Sequence, residues 1–282
     1  QLHGAKLQNA NLREADLRPG SLATTSGRAS NQVADLSEAN LEGAQFKNAE
    51  LSGATLKGAK LGHTNFQDAN LTGVSLQGVD LSAADLRGAT VSRSADELPI
   101  EVQAMLVEHE RWVGSDGAKG QRASFKNMDL RRIDFAGRAF SGADFSGAKL
   151  MGAGFSRASV MFANFAGANL MRADFSFADM RGVNMANAVL HLASPRRAVL
   201  TPMALMDHEG HATGKRWPAN LAGIDFSGAD LCDADLRGAD LTGATFNDAK
   251  LKRANLGEGN LSGVNWQGAD VADAIFPNGA EI

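Results

Sequence analysis

Apolar residues recur at every fifth position over long stretches of the chain, and similar residues recur at every twentieth position. The five-residue period is unbroken from Phe125 to Leu190, and it places Phe135, Phe155 and Phe175 twenty residues apart. An α-helix, with a period of 3.6 residues, would scatter these side chains around its whole circumference. The pattern therefore predicts a coil of four sides with five residues to each side, in which similar residues stack on one another.

The repeating unit reads Ala, then Asp or Asn, then Leu or Phe, and then two further residues. In the unit that starts at Ala143, we expect Phe145 to fill the lumen of the coil with Ala143 beside it. Asp144, Ser146 and Gly147 should then face water. Glycine is frequent in the last place of the unit, where the chain must turn a corner and a residue without Cβ is least strained.

This unit is the motif of pentapeptide-repeat proteins, and the chain resembles that family over most of its length. The resemblance implies an all-β solenoid, specifically a right-handed quadrilateral β-helix whose short strands pair with the coils above and below. Neighbouring coils would account for most contacts in such a fold. The 31 glycines and the absence of Tyr agree with a narrow lumen and tight corners.

The repeat is interrupted three times, and the interruptions suggest a division of the chain. We expect an N-terminal β-helix over residues 1–93 with a loop at 23–33, a capping helix and linker over 94–122, and a second β-helix over 123–282 with a non-repeat insert at 191–218.

The strongest helical pattern lies in the second interruption, at about residues 96–114. Asp96 is suited to cap this helix, Pro99 is tolerated in a first turn, and Gly114 can end it. One face carries the apolar residues Leu98, Val102, Met105, Leu106, Trp112 and Val113. We expect this face to cover the first coil of the following repeats, with a partner-binding helix as the alternative. In the third interruption, the apolar stretch 199–206 fits either a hairpin or a short helix.

Candidate chemistry is sparse. His208, Glu209 and His211, with His191, could supply metal ligands, but no regular helix fixes their spacing, and a solvated loop is the expected interpretation. The chain shows no nucleophile, phosphate-binding or dinucleotide-binding motif. A filled lumen would also leave no internal pocket for a substrate. We therefore expect no catalytic residue, no metal and no cofactor, and a protein that is not an enzyme.

Arg138 departs from the repeat because it stands where the motif has Ala, two positions before Phe140. An inward guanidinium would be costly to desolvate without several partners. We expect a local bulge that lets the side chain reach solvent. An anion site or a contact with the neighbouring insert is the alternative.

We call the Leu or Phe position of each repeat its centre, and the run of repeats from Phe125 to Leu190 the third tract. Large apolar residues follow several centres of the third tract, where the second and fourth tracts, on either side of its flanking interruptions, carry polar or small residues. They are Met151, Met161, Phe162, Met171 and Phe177. Side chains of this kind pointing away from the lumen must be covered. The cover is expected to be one of the two flanking inserts, or else a second subunit or a protein partner.

Charge is uneven along the chain, although its net charge is only -4. Residues 123–192 carry eight Lys and Arg against five Asp, whereas residues 219–276 carry four against nine acidic residues. The acidic rows predicted to steer a basic partner are Asp225, Asp230, Asp235 and Asp240.

These observations favour a non-catalytic protein–protein interaction scaffold whose partner is a protein, including a second copy of the chain. The family resemblance implies an alternative, since its best-understood members resemble duplex DNA in shape and charge and bind type II topoisomerases such as DNA gyrase. The basic middle tract would interrupt a DNA-like surface. Direct nucleic-acid binding is not expected. Membrane association is not expected either, because no apolar run reaches membrane-spanning length.

The single cysteine bears on the compartment. Cys232 follows the centre Leu231, so it should point outward as a free thiol. One cysteine excludes an internal disulfide framework, and a free thiol fits a reducing compartment such as the cytoplasm.

Overall fold

A computed structural model describes residues 2–17, 34–76, 78–95, 98–206, 209 and 211–280. The predicted loop at 23–33 and the centre Leu22 lie outside these residues. The chain divides into two compact units, Gln1–Arg93 and Ser94–Ile282. The elements are β1 (Asn70–Leu71), β2 (Thr90–Val91), β3 (Arg93–Ser94), α1 (Ile100–Val113), β4 (Ile133–Asp134), β5 (Met203–Met206) and β6 (Ala212–Trp217).

Parallel pairing between residues twenty apart builds both units. Asp144 pairs with Asn164, which in turn pairs with Asn184. The N–H of Phe145 donates to the carbonyl of Asn164 at 2.7 Å, and the N–H of Asn164 donates back to the carbonyl of Ala143 at 2.9 Å. In the first unit, β1 pairs with β2 in the same parallel way. The chain therefore folds as a β-helical solenoid, as the five-residue period predicts.

The lumen of each unit is filled by the centres of the repeats. Phe155 stacks on Phe175 with ring centroids 4.8 Å apart and planes 3° from parallel, and Phe135 lies 5.2 Å from Phe155 on the other side. These three side chains form one buried column, which confirms that prediction. In the first unit, Phe46 stacks on Phe66 in the same manner.

The last two residues of each repeat turn the corner. The N–H of Ala148 donates to the carbonyl of Phe145 at 3.0 Å and closes the turn. The residue just before it, Gly147, has a φ of 65°, in the left-handed region where a Cβ is strained. Asn127 holds the equivalent place one coil earlier with a φ of 58°. We call this place the turn position of the repeat.

Helix α1 is shorter than predicted at its N-terminal end, while Gly114 ends it as predicted. It begins at Ile100 rather than near residue 96, and it ends at Val113. Pro99 directly precedes the helix with an extended ψ of 145°, and no side chain caps the first turn. Because Pro99 fixes its own φ and disfavours a helical conformation in the residue before it, the chain enters the helix only after this residue. The predicted cap, Asp96, lies outside the described residues.

The prediction that the second insert begins at residue 191 is wrong, because the coil continues to Leu200. Ser194 pairs with Asp174, and Val199 pairs with Asp179. Pro195 takes the place of a repeat centre and is buried. Since the motif has Leu or Phe there, the proline concealed two more repeats in the sequence.

The true interruption is an antiparallel hairpin formed by β5 and β6, in which Met203 lies opposite Trp217. Of the two conformations considered for this stretch, the hairpin is therefore the observed one. After the hairpin the coil resumes. Asn184, which pairs with Asn164 in the preceding coil, pairs with Asn220 in the next one.

Candidate interaction site

Helix α1 packs on the end of the second unit's core. Leu98, Leu106 and His109 are buried, and Val102 and Met105 pack against the same core. The His109 ring lies parallel to those of Phe140 and Trp112, with centroids 6.0 Å and 5.7 Å away. The helix therefore covers the lumen beside Phe140.

His109 is a buried residue that the sequence analysis missed. Its Nδ1 accepts a hydrogen bond of 3.1 Å from the N–H of Ala123, so this nitrogen carries no proton. Burial lowers the pKa of His109 below its ordinary value, against the smaller opposing effect of the Phe140 carbonyl. The helical period could have signalled its position, since His109 follows Leu106 by three residues and Met105 by four.

Arg138 contacts the helix, and the predicted bulge is wrong. Its main chain keeps the regular pattern, with its carbonyl accepting from the N–H of Ser159 at 3.0 Å. The guanidinium Nη1 donates to Oε1 of Glu110 at 2.6 Å. The alternative of a contact with the neighbouring insert is thus the observed arrangement, and this ion pair ties α1 to the side of the coil.

Two of the predicted outward apolar residues lie against arginines. The Phe177 ring lies between the guanidiniums of Arg157 and Arg197, each 5.5 Å from its centroid. Arg181 Nη2 contacts the sulfur of Met161 at 3.4 Å. These contacts cover part of Phe177 and Met161 from within the coil itself. Arg197 belongs to the repeats concealed by Pro195, so its contact could not be read from the sequence.

Met151 and Met171 lie in successive coils of one face and are each half-buried. The N–H of Gly152 donates to the carbonyl of Met171 at 2.8 Å, which fixes the two residues in neighbouring coils. The role predicted for this pair, as a contact for an insert or a partner, stays a prediction.

Phe162 lies at a corner that both inserts reach. Gly142, Phe162 and Gly182 hold the same turn position in three successive coils. A Cβ added to Gly182 would lie 2.9 Å from Cε1 of Phe162 and 3.2 Å from Cδ1 of Trp217 in β6. A Cβ added to Gly142 would lie 3.5 Å from the ring of Trp112 in α1. We call these five residues the Phe162 corner.

The four predicted acidic residues do not share a face. Each belongs to a different ladder of one coil, where Asp225, Asp230, Asp235 and Asp240 pair with Thr245, Lys250, Asn255 and Asn260, respectively. Two of them are already neutralised, since Asp230 pairs with Arg196 at 3.1 Å and Asp235 pairs with Arg237 at 2.6 Å. Because successive repeats lie on successive sides of the coil, a spacing of five residues places these carboxylates around it.

Comparison with known families gives a direct result. A family model described as "Pentapeptide repeats" matches the chain in eight copies that span more than half of it, at residues 1–18, 34–68, 49–88, 121–157, 155–191 and 219–257. The chain belongs to the pentapeptide-repeat family. No curated protein shows significant sequence similarity to it.

Several solved structures of pentapeptide-repeat proteins are similar to this chain. HetL, a protein involved in heterocyst differentiation regulation from the cyanobacterium Nostoc sp. Strain PCC 7120, is 22% identical, with 98% of this chain and 92% of that chain covered and a TM-score of 0.23. Full-length QnrB1, a plasmid-mediated fluoroquinolone resistance protein, is 18% identical, with 94% and 91% covered and a TM-score of 0.20. A pentapeptide-repeat protein of the Arabidopsis thaliana thylakoid lumen is 26% identical, with 49% and 68% covered and a TM-score of 0.21.

The remaining candidate groups of this pentapeptide-repeat protein are a thiol and a histidine pair. Cys232 is a free thiol outside the lumen but only 8% exposed, and burial together with the charge of Asp230 raises its pKa to about 11.

His208 lies outside the described residues, while His211 Nδ1 lies 3.5 Å from Glu209 Oε2 in an exposed contact. Within the described ranges, no three potential ligands converge on a metal position. In the same ranges, no helix is both long and apolar enough to cross a membrane.

Proposed function

We propose that this protein is a non-catalytic scaffold for protein–protein interaction, built on a rigid, right-handed quadrilateral β-helix. The proposal rests on the observation that side chains fill the lumen of the coil. Phe145 and Phe165 stack at 4.7 Å, Phe155 and Phe175 stack at 4.8 Å, and all four side chains are buried. A substrate site usually needs a concave pocket with converging polar groups. The interior of the coil offers no room for one, so function is assigned to the outer surface.

The outer surface supports this proposal because apolar side chains remain exposed beside the inserts. Phe162 is 42% exposed and Trp217 is 53% exposed, although both lie against Gly182. Aromatic residues are enriched at protein interfaces, and Trp is among the residues that most often dominate binding energy. Exposed apolar groups that lie together on a folded surface favour a binding role.

The charge distribution favours a protein partner over DNA mimicry. A duplex-like surface needs carboxylates that continue along one side, whereas the four aspartates of residues 225–240 encircle a single coil. Arginines neutralise Asp230 and Asp235, and the preceding tract is basic. Topoisomerase binding is therefore the second hypothesis.

Affinity capture with the purified full chain tests the proposal. The matched control is Phe155→Asp, which should disrupt the second unit and so remove the folded surface that carries Phe162 and Trp217. We expect the native chain to retain a protein at a near-stoichiometric ratio, or to self-associate in size-exclusion chromatography, and the control to do neither. Capture that is equal for both chains, or no capture and no self-association, would contradict the scaffold.

Two further assays separate the other classes of function. Inhibition or protection of DNA gyrase in a supercoiling assay would move the assignment to topoisomerase binding. Stoichiometric zinc in the purified protein, lost on replacing His208 and His211, would indicate a metal site at these histidines and favour an enzyme over a scaffold.

A further inference from the structure

The Phe162 corner combines three aromatic side chains from distant parts of the sequence. Trp112 lies against Gly142, while Phe162 and Trp217 lie against Gly182 two coils further on. Because stacked strands are about 4.8 Å apart, the three side chains mark a row about 10 Å long. Each insert contributes one tryptophan to this row.

The coil itself does not require an aromatic residue at this corner. Phe162 has a φ of 56°, in the left-handed region that glycine adopts without strain. The same turn position holds glycine in both neighbouring coils, with φ values of 74° at Gly142 and 63° at Gly182. Phe162 also points away from the lumen and is 42% exposed, so it adds nothing to the buried core.

Two cationic residues lie close to the aromatic row, one in space and one along β6. Cδ of Arg122 lies 3.9 Å from the position of a Cβ on Gly142, and Lys215 lies two residues from Trp217 in β6. Within the part of the chain that the structure describes, neither side chain forms an ion pair within 4.0 Å.

Two nearby carboxylates are already paired, and a third, Asp144, accepts hydrogen bonds and interacts electrostatically with Arg122. Asp179 pairs with Arg181 at 2.6 Å, and Glu258 pairs with Arg216 at 3.5 Å. Arg122 and Lys215 outnumber this one unpaired carboxylate, so the surplus charge near the aromatic row is positive and a complementary ligand carries negative charge beside its apolar centre.

We propose that the Phe162 corner binds an extended segment of a partner protein with a short apolar centre and acidic flanks. The apolar side chains lie on the row formed by Trp112, Phe162 and Trp217, and the flanking carboxylates pair with Arg122 and Lys215. Since an extended chain rises about 3.3 Å per residue, the row matches an apolar centre of about three residues. This inference rests on the proposed function, because it takes the partner to be a protein.

Single-stranded nucleic acid also binds surfaces that combine aromatic and cationic groups. Such a ligand carries a phosphate at every nucleotide and needs a groove that is basic along its whole length. Near the corner, the described residues supply Arg122 and Lys215 but no continuous basic groove, and the Asp179–Arg181 pair beside it is neutral overall. The observations therefore favour an acidic protein segment.

The test uses the full chain and a fluorescein-labelled peptide in which Leu-Phe-Leu is flanked on each side by two aspartates. We expect binding by fluorescence anisotropy, with a blue shift of tryptophan emission. Phe162→Gly should weaken binding by about tenfold or more, the effect of losing one interface anchor. The melting temperature should stay close to that of the native chain, since glycine suits the turn position.

Phe177→Gly is the matched control, because it makes the same substitution at a turn position of another corner and should leave the affinity unchanged. The charge of the flanks is tested with a peptide carrying lysines in place of the aspartates, which should bind at least about tenfold more weakly. Replacing Arg122 and Lys215 together with Glu should reverse the preference between the two peptides.

Several results would overturn the corner as a binding site. They are equal affinity of the native chain and Phe162→Gly, equal binding of both peptides, tighter binding of a short oligo(dT), and no binding at peptide concentrations up to about 1 mM. A cellular partner that is captured equally by the native chain and by Phe162→Gly would also overturn it, while leaving the scaffold function standing. Absence of any captured partner would instead contradict the scaffold.

Discussion

The side-chain oxygen of Asn127 occupies the space that a Cβ on Gly147 would fill. Both residues hold the turn position, in successive coils of one column. The same relation recurs elsewhere in the two units, where a folded-over side chain lies against a glycine at Glu38–Gly58, Asp68–Gly88, Asn187–Gly223 and Asp248–Gly268. A glycine at a corner is thus required partly by its left-handed backbone and partly by the side chain of the preceding coil.

Exchanging the two residues tests this relation. Gly147→Asn alone should destabilise the protein by about 1 kcal/mol or more, because the new side chain meets Asn127 and adopts a strained φ. Adding Asn127→Gly should recover much of the loss, since the new side chain then finds open space over Gly167 in the next coil. Denaturant unfolding of both single variants and the double variant gives the coupling energy. Strictly additive effects would show that the two positions do not interact.

Inward and outward positions should differ sharply in their tolerance of substitution. Phe155→Asp places an unpaired carboxylate among stacked rings and should cost on the order of 4 kcal/mol or more. Asp144→Ser should be mild, because Asp144 is only half-buried and a serine hydroxyl can also accept from the N–H of Ser146 and the amide of Asn164. Thermal unfolding followed by circular dichroism measures both variants. Similar melting temperatures for the two variants would mean that the assignment of inward and outward positions is wrong.

His109 should make stability depend on pH. Its folded pKa lies below the unfolded value of about 6.5, so the unfolded state binds a proton that the folded state excludes. Its contribution is fully present above that pH and is lost as the pH falls from about 6.5 towards the folded pKa. We expect the denaturant midpoint to fall between neutral pH and about pH 5, and the fall to be smaller in His109→Gln. An equal fall in both proteins would assign the effect to other groups.

The ion pair between Arg138 and Glu110 should contribute modestly to docking of α1. Both side chains are partly exposed, so a double-mutant cycle with Arg138→Met and Glu110→Gln should give a coupling of about 0.5–1 kcal/mol. The coupling should decrease in high salt because exposed charges are screened. Denaturant unfolding at low and high salt supplies the measurement. A coupling near zero at low salt would indicate that the ion pair does not contribute to the docking of α1.

The sequence predicted the parts of the fold that repeat. A period of five within a period of twenty defines which residues stack, so the column of Phe135, Phe155 and Phe175 followed without further information. The end of the third tract did not follow, because Pro195 fills a centre that the motif reserves for Leu or Phe. A proline lacks the N–H that continues the ladder, yet its ring still fills the lumen.

The contacts of the inserts could not be predicted, because they depend on three-dimensional neighbours. His109 reads as one polar residue on an amphipathic helix, and only the open lumen beside Phe140 explains its burial. Likewise, the exposed apolar set predicted from the third tract included Phe162 but gave no reason to link it to Trp112 and Trp217. Those tryptophans lie outside the repeats, and no period relates them to the corner.

The pairing of Asn184 with Asn220 has a consequence for how such a chain can change length. The coil closes across the hairpin as though the added residues were absent, so the hairpin is a side branch attached at one corner. Removing residues 201–216 would bring these two asparagines to the ordinary twenty-residue separation and join two coils directly. Insertions at a corner therefore leave the register of everything downstream intact. Evolution or an engineer can exchange the branch for a segment of another length while the column of coils stays the same.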